Sequence, residues 1–215
     1  GRSGHGVRMR LRKAIPAGAG LGGGSADAAA AFAAVRRMLE VDIGDEELSE
    51  LGAALGSDVP FCLRGGAAWM RGRGERLEPV TLEGQLPLVV VLPPFRISTP
   101  DVYRAWDELG GPSSTRIVPT PAALAGLGLP DGLVNDLEPA AEHIEPRLRP
   151  FREGLEALAG GPALLAGSGS AYVVPVASSA QAAVVATQAG VELRATAFAT
   201  GLAARGVEAQ RGIDQ

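Results

Sequence analysis

The first pattern in the chain is an alternation of apolar and basic residues near its start. Val7, Met9 and Leu11 are apolar, and an arginine follows each of them. Strict alternation has the period of a strand with one buried face, so it predicts a half-buried strand over residues 7–15. A secretory signal would need an uninterrupted apolar core behind the basic residues, and none follows them.

Two helices are predicted after a glycine-rich stretch. Apolar residues recur at helical spacing over residues 26–40, and again from Asp45, which we expect to be the N-cap of the second helix. The apolar residues expected to face inward are Phe32, Val35, Leu39, Leu48, Leu51 and Leu55. Residues 56–60 contain glycine and proline and are expected to end the second helix.

The rest of the chain predicts short elements of both kinds. Strands are predicted over residues 61–72, 88–92, 163–165, 172–176 and 191–200. Helices are predicted over residues 100–109, 135–143, 147–159 and 178–190, with a loop-rich stretch over 112–134. Strands and helices that mix without strict alternation indicate an α+β fold. We place a domain boundary near residue 85, which gives domains of residues 1–85 and 86–215.

Composition and charge exclude several classes of protein. The chain has 215 residues, 46% hydrophobic and 20% charged, which argues against intrinsic disorder. Its 24 acidic and 20 basic residues argue against a general nucleic-acid binder. Cys62 is the only cysteine, so an intrachain disulfide framework and a multi-cysteine zinc site are excluded. No apolar stretch approaches the length of a membrane span, and we expect a cytoplasmic protein without nucleic-acid or membrane partners.

Residues 16–25, Pro-Ala-Gly-Ala-Gly-Leu-Gly-Gly-Gly-Ser, carry the strongest local signal. Glycines let a ligand approach the backbone, and the helix that follows offers free N–H groups to an anion. The stretch is therefore typical of a phosphate-binding loop. A Walker loop is excluded because Gly24 stands where its lysine is required. The Rossmann pattern is formally matched, but a second helix follows the first where a parallel strand is needed.

Several residues have a functional and a structural interpretation. Asp58 is either a functional carboxylate or the side chain of a local turn. Ser25 is either a neighbour of phosphate and Mg²⁺ or only a helix N-cap. We interpret Cys62 as a buried, inert thiol. His5 and His143 lack the spacing of metal ligands and are interpreted as surface residues.

Four segments, in order along nearly the whole chain, resemble the GHMP kinases, a family of small-molecule kinases. In the first, Pro16 precedes Gly20-Leu21-Gly22 and a run of small residues. The others are Gly-Ser-Asp-Val-Pro-Phe at 56–61 with Arg-Gly-Gly at 64–66, Ser-Thr-Pro-Asp-Val-Tyr at 98–103, and Asn-Asp-Leu-Glu at 135–138 with Gly-Ser-Gly-Ser at 167–170.

The resemblance implies a fold and an activity. The GHMP kinase fold is α+β, with a ribosomal-protein-S5-like N-terminal half, incomplete here, and a ferredoxin-like C-terminal half. The activity implied is transfer of a phosphoryl group from ATP, with Mg²⁺, to a small molecule. The segment from Gly20 to Ala29 resembles that of the members that phosphorylate the 2-hydroxyl of a cytidine-diphosphate-linked methylerythritol in the non-mevalonate route to isoprenoids, and it implies this acceptor. The alternatives are a GHMP kinase of the homoserine or mevalonate type, and an inactive nucleotide-binding fragment.

Carried over position by position, the family's motifs assign roles to residues of this chain. The resemblance implies that Asp58 is the catalytic carboxylate and that Ser25, with Asp27, lies nearest to Mg²⁺. The residues implied in ATP binding are Pro16, Ala17, Gly18, Ala19, Gly20, Leu21, Gly22, Gly23, Gly24, Ser25 and Ala26. The residues implied in substrate binding are Thr99, Tyr103, Gly167, Ser168 and Gly169.

The substrate-side residues keep structural alternatives. Tyr103 either stacks on the cytosine base or is a core tyrosine on an amphipathic helix. Thr99 either bonds the substrate or is the N-cap of the helix that Pro100 begins. The segment 167–170 either closes over the substrate with its backbone N–H groups or is a plain tight turn.

The family also has a catalytic lysine, well upstream of the glycine loop, that pairs with the aspartate. Lys13 is the only lysine of this chain. It matches a basic position just before the loop, where it is either close to the nucleotide or a solvated strand residue. We therefore expect the chain to lack the family's N-terminal part. A small-molecule substrate is expected as its partner, with the chain a monomer or a homodimer.

Overall fold

The computed structural model of the chain describes residues 6–74, 76–80, 86–111, 134–202 and 206–207. These residues divide into two compact units. Unit 1 holds the described residues of 6–15, 22–80 and 206–207, and unit 2 holds those of 16–21 and 86–202. The predicted boundary at residue 85 lies outside the described residues.

Unit 1 contains three helices and a hairpin. Helix α1 is Gly23–Met38, α2 is Asp45–Leu55 and α3 is Val59–Arg64. Strands β1, Ala67–Arg71, and β2, Arg76–Val80, pair antiparallel with Ala67 opposite Val80. Gly206 donates its N–H to Arg64 O at 3.0 Å, and Val207 donates to Cys62 O at 3.3 Å. Residues 206–207 therefore satisfy carbonyls at the end of α3.

The strand predicted over residues 7–15 is wrong. The described residues 6–15 form no ladder with any described strand. Met9 is 51% exposed and Leu11 is 63% exposed. Alternation fixes which side chains share a face, but a strand also needs a hydrogen-bonding neighbour and a core to cover that face.

Helix α2 is confirmed, but its predicted cap and buried face are not. Gly44 is the N-cap, so Asp45 is the first helical residue. Leu48 is buried as expected, whereas Leu51 and Leu55 are exposed. The contact face of α2 instead runs through Gly52, where an added Cβ would lie 2.9 Å from Val59 Cγ1. The absence of a side chain at Gly52 lets α3 pack closely.

Short strands were predicted over residues 61–72, but residues 61–64 belong to helix α3 instead. A short apolar run such as Val-Pro-Phe-Cys-Leu has no periodicity that separates a buried strand from a buried helical turn. Pro60 stands in the first turn of α3, where its missing N–H leaves no helical bond unmade. The strand prediction is confirmed only for the later part of this stretch, in β1.

Unit 2 is a four-stranded antiparallel sheet with four helices among its described residues. Its strands, ordered β4-β5-β3-β6, are β3 Pro87–Leu92, β4 Leu164–Leu165, β5 Tyr172–Pro175 and β6 Thr196–Gly201. Its helices are α4 Thr99–Glu108, α5 Glu138–Ile144, α6 Leu148–Ala159 and α7 Ser179–Glu192. The predicted elements from β3 onward are thus confirmed in type and order, except for the stretch 112–133, which lies outside the described residues.

The core of unit 2 explains why these predictions hold. Strand β3 pairs with β5 on one side and β6 on the other, and Val89 and Val91 are fully buried. Helix α6 buries residues at helical spacing, among them Leu148 and Leu155. This spacing gives α6 one apolar face, which is the condition for an amphipathic helix. The mixture of helices and antiparallel strands confirms the α+β class.

Candidate functional site

The glycine-rich stretch has its first part in unit 2, where Gly20 packs tightly. Gly20 has a φ of 76°, in the left-handed region that favours glycine. A Cβ added there would lie 2.1 Å from Ala166 O and 2.8 Å from Gly169 O. Ala171 donates its N–H to Ala19 O at 3.0 Å. Gly20 is therefore required by a close backbone approach to the turn at 166–170.

The second part of the stretch belongs to unit 1, where it forms the N-terminus of α1. Gly22 is the N-cap, with a φ of 63° and no side-chain cap. The first intrahelical bond runs from Ala26 N–H to Gly22 O, so the N–H groups of residues 23–25 precede the regular helical ladder. The first turn of α1 contains no acidic residue. This end of α1 therefore offers backbone donors and a partial positive charge to an anion.

Asp58 lies beside this helix terminus within unit 1. Its Oδ2 is 4.0 Å from the position that a Cβ on Gly22 would take. Asp58 is exposed and is the N-cap residue of α3, yet it makes no side-chain capping bond there. The Ser25 Oγ is likewise 3.9 Å from the Cβ position of Gly56. The fold thus brings the start of α1 to the loop that carries Asp58.

Lys13 contacts the first turns of α1 through its side chain. Its ammonium group forms an ion pair with the Asp27 carboxylate. The same Nζ is 3.7 Å from the Cβ position of Gly23. The lysine is therefore anchored to α1 rather than standing free in solvent, and Asp27 already has a cationic partner.

Cys62 and His143 belong to no candidate metal site among the residues that the structure describes. Cys62 was expected to be buried, and it is only partly buried. Its partial burial raises the pKa of its thiol, and the negative charge of Asp58 raises that pKa further. His143 is exposed as expected, and His5 lies outside the described residues. Among the described residues, no three His, Cys, Asp or Glu side chains come together as metal ligands.

The predicted substrate residues of unit 2 fall into two groups. The Thr99 and Ser168 hydroxyls share a hydrogen bond of 2.7 Å, which joins α4 to the turn at 166–170. Thr99 is the first residue of α4 and Ser98 is the N-cap, so the N-cap interpretation of Thr99 is wrong. Tyr103 is 52% exposed, so the core interpretation of Tyr103 is also wrong.

Two polar side chains in unit 2 have contacts that the sequence did not indicate. Asn135 Nδ2 donates to Leu165 O at 2.8 Å and to Gly167 O at 2.6 Å. The Ser170 hydroxyl donates to Phe95 O at 2.9 Å. Both residues stand in segments that resemble the family motifs. Their partners are backbone carbonyls, which every residue has, so the sequence could not indicate these contacts.

Comparison with known proteins identifies related chains. Residues 1–66 match the family model of the GHMP kinases N terminal domain. A 4-diphosphocytidyl-2-C-methyl-D-erythritol kinase from Cutibacterium acnes is 41% identical over 175 residues, which cover 79% of this chain and 56% of that protein. The chain thus spans little more than half the length of that relative. Among the described residues, no helix combines the length and the apolar character needed to cross a membrane.

Solved structures agree with these relatives. A crystal structure of 4-(cytidine 5'-diphospho)-2C-methyl-D-erythritol kinase matches with a TM-score of 0.71 and 37% identity, over 88% of this chain and 68% of that one. A homoserine kinase from Cytophaga hutchinsonii matches with a TM-score of 0.64 at 18% identity, over 90% of this chain and 68% of that one. The second likeness shows a shared fold alone.

Proposed function

This chain belongs to the 4-diphosphocytidyl-2-C-methyl-D-erythritol kinases, within the GHMP kinases, and we propose that it takes part in the reaction of that family. The reaction proposed is transfer of the γ-phosphoryl group of ATP to the 2-hydroxyl of 4-diphosphocytidyl-2-C-methyl-D-erythritol. The observation that carries the proposal is the approach of Asp58 Oδ2 to Gly22, at the N-terminus of a helix whose first turn has no acidic residue.

The chemistry proposed for unit 1 follows from this arrangement. Phosphoryl transfer depends mainly on positioning and on stabilising charge. The N–H groups at the start of α1 would hold phosphate oxygens, together with the residues proposed for ATP binding from Pro16 to Ala26. Asp58, which is exposed and has no capping bond, is free to accept the proton of the acceptor hydroxyl.

A magnesium ion is proposed with Ser25 as its protein neighbour. Mg²⁺ at phosphoryl-transfer sites keeps several waters and binds substrate phosphates with one or two protein groups, and a Ser or Thr hydroxyl is one of these in some nucleotide-binding proteins, so the Ser25 hydroxyl would fit as one ligand. When bound, Mg²⁺ would neutralise part of the charge of the phosphates. Asp27 is less suitable because its carboxylate already pairs with Lys13.

The substrate-side proposal concerns unit 2. Tyr103 presents an exposed ring, and stacking of a base on an aromatic ring contributes about 1–3 kcal/mol. The Thr99 and Ser168 hydroxyls are linked by a hydrogen bond, and Gly167 and Gly169 stand in the same turn, where the Gly169 N–H bonds Ala166 O. We propose these five residues as the cytidine-diphosphate side of the substrate site.

The test is an assay of ADP release by this chain with several acceptors. The chain is incubated with ATP, Mg²⁺ and either 4-diphosphocytidyl-2-C-methyl-D-erythritol, homoserine or mevalonate. Turnover with the cytidylated acceptor alone is expected, and Asp58→Asn should lower kcat by at least about 100-fold. Asp42→Asn, an exposed carboxylate in the α1–α2 connection, is the matched control and should leave kcat unchanged.

Other outcomes select the alternatives. Phosphorylation of homoserine without the cytidylated acceptor would point to another GHMP kinase. Binding of ADP or CDP without any turnover would point to a nucleotide-binding fragment. A cytoplasmic location and a monomeric or homodimeric state remain predictions from the sequence.

A further inference from the structure

We propose that Asn135 is a positioning residue that fixes the turn at 166–170 and, through that turn, the Ala19–Gly20 part of the glycine stretch. The effect on ligands rests on the proposed function, because it assumes that the glycine stretch binds a nucleotide. The positioning itself rests only on contacts within unit 2.

The side-chain amide of Asn135 is almost fully used by backbone groups. Its Nδ2 donates to Leu165 O and Gly167 O, and its Oδ1 accepts the N–H of Leu137 at 3.0 Å. Two carbonyls face Nδ2 and one N–H faces Oδ1, so the network fixes the orientation of the amide. Asn135 therefore ties the start of α5 to the carbonyls of two residues of the turn region.

The turn passes this constraint to the glycine stretch by direct contact. Ala171 donates its N–H to Ala19 O. A Cβ on Gly167 would lie 3.1 Å from Gly20 O, and the Cβ of Gly20 would meet Ala166 O. Such close contacts between backbones leave little room for the turn to shift without moving Gly20.

Neither alanine nor aspartate supplies the same three bonds at this position. An alanine removes both donors and the acceptor, so Leu165 O, Gly167 O and the Leu137 N–H each lose their bond to this side chain. An aspartate keeps the acceptor for Leu137 N–H but, when ionised, sets a negative charge against two carbonyl oxygens. When protonated, the aspartic acid regains one O–H donor.

The first measurement is amide hydrogen exchange of the wild-type chain, Asn135→Ala, Asn135→Asp and the control Asp136→Asn. Gly169 N–H bonds Ala166 O, and Ala171 N–H bonds Ala19 O, so these amides report on the turn. We expect them to exchange about tenfold faster in Asn135→Ala, as loss of two hydrogen bonds predicts. Asp136→Asn should exchange like the wild type, because the Asp136 side chain is exposed.

A pH series separates positioning from a general loss of packing. In Asn135→Asp, protection of Gly169 and Ala171, corrected for intrinsic exchange, should recover as the pH falls from about 7 to about 4, where the new carboxyl becomes protonated. Asn135→Ala should show no recovery. Wild-type protection of these amides in both variants would overturn the proposal, as would faster exchange spread equally over α6 and β5.

Titration with ADP tests whether the contacts of Asn135 affect nucleotide binding by the glycine stretch. Weaker ADP binding by Asn135→Ala, by about tenfold, with unchanged binding by Asp136→Asn, is the expected result. Equal affinity of Asn135→Ala and wild type would overturn the transmission to the glycine stretch. A wild-type chain that binds no ADP would refute the proposed function, while the exchange data would still decide whether Asn135 fixes the turn.

Discussion

Thr99 and Ser168 share a hydrogen bond of 2.7 Å between their hydroxyl groups, although they are 69 positions apart in the chain. Ser168 is buried, and Thr99 begins α4. The bond fixes the start of that helix against the turn at 166–170. Its contribution can be isolated because each hydroxyl can be removed with little change in shape.

A double-mutant cycle of Thr99→Val and Ser168→Ala measures this bond. We expect a coupling free energy of about 1 kcal/mol, the usual net contribution of a hydrogen bond to stability. Urea unfolding of the wild type, both single variants and the double variant gives the coupling. Additivity of the two single effects would contradict a hydrogen bond between these hydroxyls in solution.

Gly20→Ala and Gly18→Ala form a matched pair. Both glycines have nearly the same φ, 76° and 75°, but only Gly20 is crowded, since nothing lies within 4 Å of a Cβ on Gly18. Gly18→Ala should lower the free energy of unfolding by about 1–2 kcal/mol, the cost of left-handed backbone. Gly20→Ala should lower it by about 2–5 kcal/mol, because overpacking is added. Equal losses in urea unfolding would show that the contact with Ala166 O is absent.

The thiol of Cys62 reports on the charge of Asp58. Burial raises the pKa of Cys62 first, and the Asp58 carboxylate raises it further. Asp58→Asn removes that charge, so the pKa of Cys62 should fall and the thiolate should form at lower pH. The measurement is the rate of alkylation by iodoacetamide across a pH series. Asp42→Asn should give the same dependence of alkylation rate on pH as the wild type. If wild type, Asp58→Asn and Asp42→Asn all gave the same dependence, the effect of the Asp58 charge on Cys62 would be refuted.

Glu138 should make stability depend on pH. Burial raises the pKa of Glu138 above its ordinary value of 4.5, and the charge of Arg152 opposes that rise only in part. A carboxyl with a raised pKa binds its proton more tightly in the folded state. Its stabilising effect is therefore complete below 4.5 and is lost as the pH rises through the higher folded value.

Glu138→Gln tests this dependence. The free energy of unfolding of the variant, relative to wild type, should increase between about pH 4 and about pH 7, because glutamine does not titrate. Urea unfolding at both pH values gives the comparison. The raised pKa of Glu138 would be contradicted if the difference in unfolding free energy between variant and wild type did not change with pH. It would also be contradicted if the wild type became relatively more stable at neutral pH.

Elements with long, regular patterns could be predicted from the sequence, and those that depend on a distant neighbour could not. Helix α6 carries a long amphipathic pattern, and β3 is a short apolar run whose three successive valines favour a strand. Both form where expected. Leu51 was expected to be buried, but the partner of α2 is α3, which packs over Gly52. Which face of a helix is buried depends on that partner as well as on spacing.

In the candidate site, too, local features could be predicted from the sequence and long-range contacts could not. Asp58 and the glycine stretch could be singled out because glycines before a helix and an aspartate in a Gly-Ser-Asp loop are local features. The role of Asn135 could not be predicted, because its partners are backbone carbonyls of residues 30 and 32 positions away. Carbonyls are present at every residue, so no pattern distinguishes the two that Asn135 binds.

The bonds from Gly206 and Val207 to the end of α3 bear on how the chain folds as the ribosome makes it. Residues 86–202 of unit 2 are all synthesised before residue 206, so unit 2 has its whole sequence while unit 1 still lacks these two donors. Domains usually fold in the order in which they are synthesised, but unit 1, most of which is synthesised first, receives its last residues after unit 2. Because contacts across so long a stretch of chain form slowly, the closing of α3 by residues 206–207 is expected to be a late step in folding.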